Sequence, residues 1–200
     1  MESIPDLKAK QQVFIDLAMG NIRRLGLVPL LEYLEKNTNF LTAPSSTNHH
    51  LNVIGGLVQH SINVYEVLLG VNNILGAGLN PESMAIAALF HDACKGLSYK
   101  VDWKWVKPDH KWEKQELWVP DNEQFPAGHG EKSVMMILPH MNLTEEEILA
   151  IRWHMGFSEP GTVFGYPTGY ALGAAMKKYP LVAALHAADL LSASVLEKEA

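Results

Sequence analysis

The residues best equipped for chemistry stand at the end of an apolar run. Ala85, Ile86, Ala87, Ala88, Leu89 and Phe90 stop abruptly at His91 and Asp92, and Lys95 and Gly96 follow within a turn. A carboxylate on a core helix is costly to bury unless something compensates it. A divalent cation is one compensation, and imidazole with carboxylate is a mixed N/O donor set that transition metals accept. The other reading is an aspartate that punctuates a helix C-terminus beside a half-buried histidine. The dipeptide alone leaves both open. Four more residues of ligand type, His60, His129, His154 and Asp189, each lie on or beside a segment with an apolar helical face. Leu57, His60, Val64 and Leu68 fall near one such face, where a lone histidine is ordinarily a satisfied core residue. Nine histidines are in excess of ordinary usage, and metal binding is a common use of imidazole.

Taken in order, His60, His91-Asp92, His129, His154 and Asp189 resemble the pattern of the HD superfamily of metal-dependent phosphohydrolases, over roughly residues 48 to 192. The run from His49 to Ser61 is similar to the branch that includes certain 3′-5′ exoribonucleases. The segments around His129 and His154 are similar to small HD hydrolases of bacteria and their phages. The resemblance implies a mainly α fold, an HD-domain helical bundle. It implies one metal held by His60, His91, Asp92 and Asp189, with Asp92 bridging to a second held by His129 and His154. Two such cations clamp an in-line phosphoryl displacement and lower the pKa of bound water, so that hydroxide is available at neutral pH.

Asp92 and Lys95 are the expected catalytic residues, and Lys95 also matches a position that contacts phosphate in the family. Its plainer reading is a solvated lysine favouring a helix dipole. Arg152 has a guanidinium suited to phosphate oxygens and is equally well suited to a surface ion pair. His49 and His50 stand where the exoribonuclease-like branch carries a histidine pair, as outer ligands, as substrate contacts or as plain surface residues. Two departures from the family pattern are visible. Cys94 takes a place usually held by glycine and reads as packed rather than reactive. Met155 takes the place of a second histidine present in several two-metal enzymes. The expected reaction is hydrolysis of a phosphomonoester or phosphodiester, of a nucleotide or short oligonucleotide, by metal-activated hydroxide. Mn, Fe, Co, Ni or Zn suits the donors, one ion or two, and Mg is disfavoured. A di-iron oxygenase and a non-catalytic HD binding module are the alternatives.

Composition narrows the partners. Net charge is −6 and the sequence pI about 5.8, so no basic surface awaits duplex DNA, while a local cationic pocket for a small phosphorylated substrate remains open. The single cysteine excludes a disulfide framework and, with no signal-peptide pattern or membrane-length apolar run, leads to the expectation of a cytoplasmic protein.

The elements that must position these residues read as one domain over 1–200. Residues 1–47 hold two N-terminal helices, about 5 to 19 and 28 to 36. The first carries a stripe of Leu7, Val13, Phe14, Leu17 and Ala18, the second one of Leu30, Leu31 and Leu34. They pack on the core or on a second subunit, which leaves a homo-oligomer open. Residues 48–96 and 127–198 form the metal-binding core. A long helix opens at Gly55-Gly56, another starts at Asn80-Pro81, and Thr144 with Glu147 makes a capping box ahead of His154. A final helix from Pro180 to Glu197 bears Asp189, and His186 on it reads as core or as support for a ligand. Residues 97–126 read as an inserted β-hairpin. Tyr99, Val101, Trp103 and Trp105 alternate with polar residues, and 112 to 119 return. The hairpin serves either as a lid that stacks a base or as a cover for the core edge.

Overall fold

The computed structural model describes residues 1–47, 50–121, 127–158, 162–163 and 166–198. It is mainly helical with a small inserted antiparallel hairpin, as expected. In chain order the helices are α1 (Leu7–Asn21), α2 (Leu27–Asn37), α3 (Gly56–Leu75), α4 (Pro81–Phe90), α5 (His129–Ile137), α6 (Glu145–Arg152), α7 (Thr168–Lys178) and α8 (Pro180–Leu191). Strands β1 (Tyr99–Val106) and β2 (Glu113–Pro120) form the hairpin, and β3 (Thr162–Val163) pairs with β4 (Tyr166–Pro167).

The centre of the molecule is α4. Every residue from Ser83 to Phe90 is buried, because α1, α3, α6 and α8 all pack around it. An element enclosed on all sides shows no amphipathic stripe, and its sequence is accordingly an unbroken apolar run. Asn80 caps it by accepting from the Ser83 N–H at 3.1 Å, with Pro81 in the first turn. The helix ends at Phe90, so His91 and Asp92 leave the core where α3 and α8 flank it.

A buried ion network fixes α6 against this core. Glu147 is inaccessible to solvent and closes the capping box with Thr144. It also pairs with Arg24, between α1 and α2, and accepts from the Ser83 hydroxyl at 2.7 Å. Arg24 reaches Glu82 at 3.5 Å as well. One carboxylate thus joins the start of α4, the start of α6 and the turn after α1. The crossing of α5 over α6 is equally constrained, since a Cβ at Gly130 would lie 2.3 Å from the Arg152 carbonyl oxygen.

Several boundaries differ from expectation. Helix α1 begins at Leu7 instead of residue 5, because Asp6 turns the chain through φ 51°. Phe14 and Ala18 carry its buried stripe while Val13 is 41% exposed. Trp112 precedes β2 instead of opening it. The hairpin register runs from Tyr99↔Pro120 to Val106↔Glu113, but both faces of its outer half meet solvent. Trp103, Trp105 and Trp112 are 53%, 64% and 65% exposed, so the alternation marks a strand and not a buried face. Only the root is enclosed, by half-buried Tyr99 and buried Trp118. The last helix stops at Leu191 and passes into a π-helical turn, Ser192–Leu196.

Among the described residues no single helix is long and apolar enough to cross a membrane. The pair α7 and α8 with its π turn has sufficient length and apolarity together, but bends by 115°, and α8 lies in the core against α3 and α6.

Candidate metal centre

Six residues meet where α3, α8 and the ends of α4 and α6 converge. Asp92 is the hub. Its Oδ1 lies 2.6 Å from His129 Nε2 and 3.3 Å from His154 Nε2. Its Oδ2 lies 2.7 Å from Lys95 Nζ, 3.4 Å from His91 Nε2 and 3.7 Å from His60 Nε2. Asp189 Oδ1 closes the other side, 3.1 Å from His60 Nε2 and 3.9 Å from His91 Nε2. His60, His91, Asp92 and His154 are almost wholly buried, and His129, at the start of α5, is partly open.

The histidines present one nitrogen inwards because the other is engaged. His91 Nδ1 donates to the Ala88 carbonyl at 2.8 Å and His154 Nδ1 to the Ile151 carbonyl at 2.7 Å. Both acceptors are three residues back, at helix ends whose carbonyls have no helical partner. His60 Nδ1 meets Glu197, and His129 Nδ1 lies 3.3 Å from Cys94 Sγ. With Nδ1–H committed in His91 and His154, Nε2 is the ring nitrogen left facing the hub. Two consequences are physically unusual. His60 and His91 bring their Nε2 atoms within 3.3 Å of each other, and buried His154 Nε2, though 3.3 Å from Asp92 Oδ1, makes no hydrogen bond of proper geometry among the described residues. Facing lone pairs repel, and a buried nitrogen without a hydrogen bond forfeits its solvation, unless a proton or a metal ion lies between them.

The electrostatics favour positive charge at the same place. Burial alone would raise the Asp92 carboxyl, but Lys95, His91 and His129 hold it well below the usual carboxylate range. Burial likewise opposes charge on Asp189, and the hydrogen bond from His60 outweighs it, so that its pKa too is lowered. Burial would lower His60, yet its hydrogen bonds to Asp189 and Glu197 push it up to about 9. Lys95, beside Asp92, is raised against the effect of its burial and stays cationic. Two sets of donors are mutually close enough to share an ion here, His60 with His91 and Asp189, and His91 with Asp92 and His154. Imidazole nitrogens and ionised carboxylates gathered about one point fit a divalent-metal centre.

A cavity of about 270 Å³ opens on the centre, lined by Ser45, Ser46, His50, Lys95, Tyr99 and His186 among others. Ser45 Oγ and His50 Nε2 are buried there without hydrogen bonds among the described residues, His50 Nε2 lying 3.7 Å from Glu197 Oε2. His49 lies outside the described residues. Arg152 does not line this cavity. Its Nε pairs with Glu131 and its guanidinium lies 4.0 Å from the Trp153 ring centroid, the ion-pair arrangement left open from sequence. Cys94 is buried and its thiol pushed up to about 12, chiefly by burial, so it packs in protonated form.

Three contributors were not singled out as part of the site. Glu197 meets His60 Nδ1 through both carboxylate oxygens at 3.0 Å. Gly156 turns at φ 56° directly against the His186 ring, and His186 Nδ1 in turn donates to the His154 carbonyl at 2.8 Å. Tyr99 joins the cavity from the hairpin root. The first could have been suspected only from its chemistry, since it shares no face with Asp189 in a straight α-helix. The second had a signal, a glycine directly after His154-Met155.

Neither the curated proteins nor the solved structures include a match to this chain. A family model, that of the HD domain, matches residues 57–194 and so spans all six converging side chains. With a match over well more than half its length, and with that domain's histidines and aspartates gathered about one carboxylate, the chain belongs to the HD-domain family, whose members are generally metal-dependent phosphohydrolases.

Proposed function

We propose that this protein is a metal-dependent phosphohydrolase that cleaves a phosphomonoester or phosphodiester of a nucleotide or short oligonucleotide. The observation that carries this reading is the convergence of four imidazole Nε2 atoms on Asp92 and Asp189, with His91 and His154 held as donors by backbone carbonyls. His60, His91, Asp92 and Asp189 would hold one divalent ion, and Asp92, His129 and His154 a second. When bound, such an ion supplies Lewis acidity and a water acidic enough to ionise near neutral pH.

The chain's own residues do the rest. Lys95 keeps its proton and stands at the cavity wall, where its charge offsets the negative charge that develops on phosphoryl oxygens. Ser45 Oγ, buried without a hydrogen-bond partner among the described residues, and His50 Nε2, 3.7 Å from Glu197 Oε2, stand at the same wall and can hydrogen-bond substrate oxygens. Tyr99 and Met155 give the cavity apolar surface against which a sugar or base can lie. The cavity volume, about 270 Å³, suits a small phosphorylated molecule and not a duplex.

The test is a panel of nucleoside monophosphates, short oligonucleotides and simple phosphoesters, assayed with added Mn, Co, Ni, Zn or Fe. Metal-dependent phosphate or nucleotide release supports the reading. Iron-dependent oxygen uptake without phosphate release would assign an oxygenase instead, and metal binding with neither activity would assign a binding module.

A further inference from the structure

We propose that Glu197 is the positioning residue of this centre, acting through His60 Nδ1 to fix the ring's tautomer and to strengthen Nε2 as a metal donor; the inference rests on the metal-centre reading above. Glu197 lies outside the residues 57–194 that the family model covers. Its side chain is nonetheless among the most enclosed charged groups, 1% exposed, and both oxygens lie 3.0 Å from His60 Nδ1. Asn63, one turn further along α3 than His60, donates to Oε1 at 2.8 Å. The carboxylate is thus braced, and its nearest ionisable partner is a metal-facing histidine, with His50 Nε2 farther off at 3.7 Å from Oε2.

The backbone makes this contact by an irregular device. The Glu197 N–H bonds the Ser192 carbonyl at 3.0 Å, five residues back, which defines the π turn. In a straight α-helix, at about 100° per residue, Leu196 would share the face of Asp189 and Glu197 would stand about 80° away. The extra residue in the turn shifts the register by roughly one place. Leu196 is left 59% exposed, and Glu197 enters the protein behind His60. The two ligands whose Nδ1 atoms bond backbone carbonyls, His91 and His154, have neutral acceptors. Against an ionised acceptor the imidazole carries more electron density at Nε2, so His60 becomes the stronger donor, and its ring cannot rotate.

A second possibility is an ion held by His50, His60 and Glu197, whose donor atoms are mutually close. It would need the Nδ1 lone pair of His60 where the structure places two carboxylate oxygens at donor distance. The experiment separates the two.

Cobalt(II) is titrated into the full metal-free chain and followed by calorimetry and by its visible spectrum, for wild type and for Glu197→Gln, Glu197→Ala, Glu197→Asp and Asn63→Ala. Imidazole nitrogen NMR reports the His60 tautomer. The expected result is about a 10-fold loss of cobalt affinity in Glu197→Gln, which keeps a neutral acceptor, and a loss approaching 100-fold in Glu197→Ala. Both should change the His60 nitrogen signal, with wild-type stoichiometry retained. Glu197→Asp should recover part of the loss, and Asn63→Ala should lose affinity by a few fold even if the alanine variant at 197 does not fold. Wild-type affinity and an unchanged His60 signal in Glu197→Gln would overturn the proposal, as would loss of one whole equivalent of cobalt with the others undiminished. If wild type itself takes up no cobalt, the metal-centre reading falls and this inference with it.

Discussion

At the scale of single residues, the site depends on which nitrogen each histidine turns inwards, and that is decided one shell further out. Gly156 shows how small the controlling feature can be. Its φ of 56° suits glycine, and an added Cβ would sit 2.1 Å from the His186 ring. Gly156→Ala should therefore push His186 off the His154 carbonyl and lower metal affinity about 10-fold, the lower end of what loss of an outer partner costs, as read by metal titration. Lys95 makes a different prediction, because the proposal gives it a charge to place and no metal to hold. Lys95→Ala should keep wild-type metal content while kcat/KM falls by about 100- to 1,000-fold, the effect of removing one group that stabilises developing charge. At this scale the sequence was most legible where a ligand carried its own signature. His91-Asp92 ends an apolar run, and His60 interrupts an apolar face. The partners at Nδ1 were illegible, since Ala88 and Ile151 contribute only carbonyls and any side chain could stand there.

At the scale of elements, the position of His154 depends on how α6 is seated, and α6 is seated by Glu147. Burial would raise the pKa of Glu147, but Arg24, the Thr144 N–H and the Ser83 hydroxyl hold it below its ordinary 4.5. A carboxylate depressed in the folded state stabilises the protein fully above its unfolded pKa and ceases to do so as pH falls through the folded value. Chemical denaturation across pH 7 to 2 should thus show stability lost on the acid side of about 4.5, with Glu147→Gln less stable by about 3 kcal/mol at pH 7 and its acid limb flatter. The capping box from Thr144 to Glu147 was plain in the sequence because it is a local pattern. The link from Glu147 to Arg24, 123 residues away, was not, because nothing in either neighbourhood requires it. The π turn after α8 escaped for a related reason. A helical period of 3.6 continues smoothly through Ser192–Leu196, and the break shows only in which residue the core accepts, Glu197 in place of Leu196.

At the scale of the whole molecule, the helical core and the hairpin are nearly separate in their energetics. The outer half of the hairpin packs against little but itself, with Lys114 Nζ 4.6 Å from the Trp103 ring centroid and Lys107 Nζ 5.6 Å from that of Trp112. Replacing residues 102–117 by a tight Asn-Gly turn should leave metal content and melting temperature as in wild type, since Tyr99 and Trp118 at the root remain. A lid role for the hairpin would then appear as a rise in KM for nucleotide substrates in the same variant. The fold class was legible from the apolar run of α4 and the spacing of the ligands around it. The exposed tryptophans were not foreseeable, because alternation tells strand from helix without saying what either face meets. Six side chains from five segments are proposed to form one divalent-metal centre. Elemental analysis tests it most directly, on wild type and on His91→Ala and Asp92→Ala after incubation with Mn, Co, Zn or Fe and removal of the excess. One or two equivalents of bound metal in wild type and almost none in Asp92→Ala is the predicted result. Metal-free wild type, or an Asp92→Ala variant that retains the full complement, would contradict it.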